Sequence, residues 1–127
     1  MISGRFGDIG ELFFDIEVIT AEGEILPVEV LLDTGFTTGW LAMDTQDIET
    51  LGWPLIEPKQ VMQTARGDEF FAIYGGQVIL DGQVFTVPVV AGIAMPENLL
   101  GLQWLQTRRL VVDFTSGLLT LGASRND

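Results

Sequence analysis

The chain has no cysteine, no histidine and a single lysine, Lys59, among its 127 residues. Without cysteine there is no disulfide framework, no thiolate nucleophile and no thiolate metal site. Without histidine the usual proton shuttle near neutral pH and the commonest metal ligand are missing too. Bases are scarce altogether, 6 against 18 acids, for a formal net charge of −12. That sign repels phosphate backbones and anionic headgroups, so neither nucleic acid nor a membrane surface is an expected partner. No apolar run reaches the roughly 18 to 20 residues that cross a bilayer. The longest, residues 84–95, is broken by Pro88. At the N-terminus Gly7, Asp8, Gly10 and Glu11 interrupt any signal-like segment, and a cytoplasmic protein is expected. No metal and no cofactor are expected. Any chemistry falls to carboxylates.

What the chain does have is apolar character, with 47% hydrophobic residues. One domain is expected over residues 1–127, large enough to bury roughly two thirds of its unfolded surface. Such a composition leaves apolar surface for a partner. Self-association is the simplest use of it, because most soluble oligomers are symmetric homodimers.

Short runs rich in β-branched and aromatic residues alternate with turn residues, and no linker or repeat interrupts them. Leu12–Ile19 and Ile25–Leu32 read as strands joined by Ala21-Glu22-Gly23-Glu24, with a further strand fragment at residues 40–43. A short helix is expected over residues 44–51, capped by Asp44, with Asp47 in its first turn and Gly52 and Pro54 ending it. Its acids lack the glycine and terminal glutamate of a calcium loop, so they are read as caps. Two hairpins follow. Residues 61–65 and 70–74 flank Arg66-Gly67-Asp68-Glu69, and residues 78–80 and 84–90 flank Asp81-Gly82. A second helix is expected over residues 99–107, then strands at 110–114 and 118–121 around Thr115-Ser116-Gly117. Trp40, Trp53 and Trp104 are expected in the core or at an interface. The fold class is mostly β, a small barrel or sandwich with one or two short helices.

The most informative segment is Leu31-Leu32-Asp33-Thr34-Gly35. An apolar strand delivers one carboxylate to a tight loop whose glycine leaves the backbone open to close approach. Alone, the tripeptide Asp33-Thr34-Gly35 reads better as an aspartate turn at a strand end than as a catalytic loop. Its context adds to it. The chain resembles the retropepsin-like aspartic proteases, in order and over nearly its whole length. The matching parts are the Asp33-Thr34-Gly35 loop, the hairpin around Arg66-Gly67-Asp68, and Leu99-Leu100-Gly101 followed by Val111-Val112-Asp113-Phe114. Phe36 stands where retroviral members usually carry Ala, and the run from Asp33 to Gly39 looks more like the bacterial and cyanobacterial branch.

That resemblance implies a small closed β-barrel and aspartic endopeptidase activity on an extended peptide or protein substrate. Peptide hydrolysis by carboxylates uses two of them, one taking a proton from water and one donating to the carbonyl oxygen. One Asp-Thr-Gly per chain therefore implies a homodimer in which two copies of Asp33 meet. By the same resemblance, Thr34 hydrogen-bonds across the two-fold and Gly35 donates to the partner carboxylate. Leu99, Leu100 and Gly101 pack behind the acid loop. Arg66, Gly67 and Asp68 form a flap that closes over the peptide. The strands nearest the chain ends, around Arg5-Phe6 and residues 118–121, are expected at the dimer contact. The alternative is a dimerisation or peptide-binding module on the same fold without catalysis.

Overall fold

Alternation decides which face each strand buries. In the segment Leu12–Ile19, Phe14, Ile16 and Val18 are buried while Asp15 and Glu17 face solvent, the period of two that places one face of a sheet on a core. The computed structural model describes residues 1–123. Its elements are β1 (Ile2–Ser3), β2 (Arg5–Phe6), β3 (Leu12–Ile19), β4 (Ile25–Leu32), β5 (Leu41–Asp44), α1 (Thr45–Leu51), β6 (Leu55–Thr64), β7 (Gly67–Leu80), β8 (Gln83–Gly92) and β9 (Asn98–Leu100). A 3-10 helix (Leu102–Gln106) then leads to β10 (Arg108–Asp113) and β11 (Leu118–Ala123).

Strand pairing runs β3-β4-β9-β5-β8-β7, and β7 returns to β3 through Glu17–Ile79, Val18–Val78 and Ile19–Gln77. That return closes a six-stranded barrel, the mostly β architecture expected. β2 extends the sheet beyond β3, and β6 and the first part of β7 form a hairpin arm. The two ends of the chain make a separate sheet, β1-β11-β10. The barrel is filled by Phe14, Val18, Val30, Leu41, Val78, Val89, Leu100 and Trp104, all essentially inaccessible to water. Trp104 lies edge-to-face with Trp40 at 5.0 Å and with Phe85 at 5.1 Å, and its Nε1–H donates to the Trp40 carbonyl at 2.8 Å. A buried indole thus satisfies its one donor while its ring packs on two others. α1 forms as its ends dictate: Asp44 Oδ2 accepts the Gln46 N–H at 3.1 Å, and Gly52 takes a left-handed φ of 76°. None of the helices among the described residues is long and apolar enough to cross a membrane.

Several expectations are corrected. Residues 99–107 do not form one helix: Leu99 and Leu100 pair with β4 on one side and β5 on the other, and Gly101 stays extended. Only Leu102–Gln106 coil, as a 3-10 turn. Burial of the two leucines between neighbouring strands overrides their helix propensity. β7 runs unbroken through Gly75 and Gly76, where a strand break is expected. These glycines leave room for neighbours, since a Cβ at Gly76 would meet Val89 and the Trp53 ring, and one at Gly75 would meet Ile56. The hairpin tip is Ala65–Arg66 alone, and Gly67 already belongs to β7. Near the N-terminus, Arg5 and Phe6 pair with β3 as an edge strand, and Ile2 and Ser3 pair with β11.

At the turn between β10 and β11, Asp113 Oδ1 accepts the Thr115 N–H at 3.1 Å and the Ser116 N–H at 3.3 Å. Hydrogen bonds from Ser116, hydroxyl and backbone, and then from Thr115 outweigh desolvation and hold the Asp113 carboxyl below its ordinary 3.8. A carboxyl depressed in the folded state contributes stability that is present above the unfolded value and is lost as pH falls through the folded one. We expect an NMR titration of Asp113 to give a midpoint below 3.8. We also expect Asp113→Asn to flatten the acid limb of the stability profile.

Candidate active site

β4 carries the acid to the site. Its parallel pairing with β9 aligns Leu31 with Leu99 and Leu32 with Leu100. The ladder then continues one step, as the Asp33 N–H donates to the Leu100 carbonyl at 2.9 Å. There the strand ends. The Phe36 N–H donates to the Asp33 carbonyl at 3.1 Å, closing a turn, and the Gly35 N–H donates to Asp33 Oδ1 at 2.9 Å. The carboxylate is half-buried and held by its own loop, with Thr34 and Gly35 exposed beside it.

The loop is braced from behind. The Phe36 carbonyl accepts the Leu102 N–H at 3.0 Å, the Gly39 carbonyl accepts the Gln103 N–H at 3.2 Å, and the Gly101 N–H donates to the Trp40 carbonyl at 3.0 Å. Gln103 Nε2 adds a bond to the Thr37 carbonyl at 2.6 Å. Gly101 is required here for space, since its φ of −86° suits any residue but a Cβ would land on the Gly39 carbonyl. Gly39 is equally constrained: a Cβ there would sit inside the Phe36 ring. Phe36, Gly39 and Gly101 therefore form one packing unit. Sequence reasoning marked Phe36 only as a departure from the retroviral pattern and missed its dependence on Gly39. The signal was the spacing of a large ring three residues before a glycine in a short loop.

The structure thus brings Asp33 against Leu100, pairs Leu99 with Leu31 just before it, and sets Gly101 against Gly39 and Trp40. Leu100 is fully buried and Leu99 half-buried. Arg66, Gly67 and Asp68 lie apart, at the exposed end of the β6–β7 arm. Thr64 Oγ1 donates to the Gly67 carbonyl at 2.9 Å, Gly67 has a φ of 103°, and Arg66 pairs with Glu69 at 3.1 Å. Among the described residues no hydrogen bond or ion pair joins this tip to the Asp33 loop. A cavity of about 380 Å³ lies beside the outer half of the arm, lined in part by Arg66, Phe70, Ala91 and Ile93. No group of three or more acidic side chains is arranged to hold a metal ion among the described residues.

Comparison with solved structures places the fold. A retropepsin-like aspartic protease from Rickettsia conorii superposes with a TM-score of 0.65, at 20% identity, over 97% of this chain and 89% of that one. The chain has the retropepsin fold. EIAV protease, solved with the inhibitor HBY-793, superposes with a TM-score of 0.52, at 18% identity, over 72% of this chain and 84% of that one. No protein-family model and no curated protein matches the sequence.

The packing unit behind the Asp33 loop has a direct test. Gly39→Ala should destabilise the protein by about 1–3 kcal/mol, the usual cost of overpacking. Phe36→Ala should remove most of that cost, so a double-mutant cycle in urea should give a strongly favourable coupling between the two. Additive effects would show that ring and glycine do not meet.

Proposed function

We propose that this chain is an aspartic endopeptidase that works as a homodimer. One observation carries the reading: within a retropepsin fold, a single half-buried carboxylate stands at a strand end, anchored by the Gly35 N–H in a loop braced by residues 100–103. Two such loops facing across a two-fold axis supply the pair of carboxylates that peptide hydrolysis needs. With one Asp33 ionised and the other protonated, the first takes a proton from a water held between them. The resulting hydroxide adds to the scissile carbonyl carbon while the second carboxyl protonates the carbonyl oxygen. Collapse of the tetrahedral adduct breaks the C–N bond, and the proton taken from water passes to the departing amine. As the new carboxyl group forms, the second carboxylate takes a proton back from a hydroxyl of the adduct, and both carboxyls are returned to their starting states.

The remaining residues take roles that suit their placement. Thr34 is exposed beside Asp33, where its hydroxyl reaches a second copy. Leu99, Leu100 and Gly101 keep the acid loop from moving. The β6–β7 arm, with Arg66, Gly67 and Asp68 at its end, folds over an extended peptide and excludes water. For the dimer contact we assign the sheet made by the chain ends. Among the described residues β1 and β10 each have one unpaired edge, and Val112, Phe114 and Leu118 beside them are exposed. Unpaired edges and exposed apolar side chains together are what a second copy covers.

Asp33→Asn keeps the size of the side chain and the acceptor for Gly35 while removing the acid. Cleavage of an unstructured peptide library, read by mass spectrometry, should fall by at least about a thousandfold, with the circular dichroism spectrum unchanged. Undiminished cleavage by the variant would remove Asp33 from the chemistry. No cleavage by a folded, dimeric wild type would favour a non-catalytic peptide-binding module.

A further inference from the structure

β4 has an open edge. β9 covers it only at Val30, Leu31 and Leu32, so the residues before them lack a strand partner on that side among the described residues. α1 and the segment 95–98 stand opposite, leaving a groove of about 500 Å³. A complete added strand does not suit this edge. Pro27 lacks an N–H, and the Glu29 carbonyl is already taken by Asn98 Nδ2 at 3.2 Å. Recognition therefore falls to side chains. Apolar side chains, Leu26, Leu31, Met43, Leu51 and Pro96 among them, share the walls with polar groups in about equal measure. The charged residues lining the groove are Glu29, Asp47 and Glu97, and neither Lys nor Arg is present. Glu29 is paired with Arg5, but Asp47 and Glu97 are exposed and have no ion pair among the described residues.

We propose that this groove binds an extended peptide segment carrying a basic side chain among apolar ones, and so selects which peptides reach Asp33. The selection step rests on the endopeptidase reading; the binding itself does not. Lys and Arg fit both features of the groove, since their aliphatic stems lie along apolar walls while their heads remain in water beside carboxylates. The net charge of −12 draws cations toward the groove and repels acidic segments. A second copy of the chain is a poor occupant, because it brings the same acids. Leu31 precedes Asp33 by two residues, about 7 Å along an extended strand, so a peptide seated here lies within a few residues of the scissile bond.

The test uses the full chain carrying Asp33→Asn, so that peptides bind without being cut. Three labelled ten-residue peptides share the same apolar residues and carry two Lys, two Gln or two Glu, with binding read by fluorescence anisotropy. The Lys peptide should bind at least about tenfold tighter than the Gln peptide, and the Glu peptide weakest. Asp47→Asn with Glu97→Gln should erase most of that preference. Asp8→Asn with Glu22→Gln, an equal change in net charge elsewhere, should leave it. Equal loss in both double variants would assign the effect to overall charge and overturn the groove, as would no preference at all. Cleavage by wild type is scored separately. Cleavage without charge preference sinks the groove alone. Charge-selective binding without cleavage sinks the endopeptidase reading and leaves the groove standing.

Discussion

Where Gly101 passes Gly39 the two backbones approach more closely than any side chain permits, and the position of Asp33 depends on that crossing. The hydrogen bonds from Leu102, Gln103 and Gly101 to the loop carbonyls form only at this separation. Phe36 lies over Gly39 and closes the space that remains. A loop tied at several points behind its acid has little freedom left to lose, so Asp33 is held in one orientation, as the proposed chemistry requires. The crossing in turn rests on the barrel core, because Leu100 and Trp104 flank Gly101 and are both buried.

A second constraint is charge. Two protomers of −12 repel, yet the proposed chemistry needs them joined with their acids in contact. Apolar burial has to outweigh that repulsion, and salt weakens it. The end sheet concentrates what is available for the purpose, with two unpaired strand edges beside Phe114, Val112 and Leu118. Phe114 is itself held in place by the Phe6 ring at 4.4 Å. The acids that make association harder have a use in the proposed groove, where they favour a basic substrate.

Much of this was legible in the residues because the determinants are local. β3 and β4 have the bounds that their alternation and the Ala21–Glu24 turn predict, and α1 follows Asp44 and precedes Gly52 as its capping residues require. Trp53 and Trp104 are buried and Trp40 packs on Trp104, as bulky rings in so short a chain suggest. What failed was non-local. The Leu99-Leu100 pair has helical propensity, and only the flanking strands, β4 and β5, make it a strand. Gly75 and Gly76 read as a break until Trp53, Val89 and Ile56 are seen to need the space. The dependence of Phe36 on Gly39, and the groove beside β4, arise from segments that the linear sequence keeps apart.

The central claim is that one active site takes an Asp33 from each of two chains. It is tested most directly by co-refolding wild type with Asp33→Asn in varied ratios and measuring peptide cleavage at constant total protein. If each site needs both carboxylates, activity follows the square of the wild-type fraction, and an equal mixture retains about one quarter of full activity. Activity in simple proportion to the wild-type fraction, about one half at the same point, would mean that each chain works alone and would contradict the shared site.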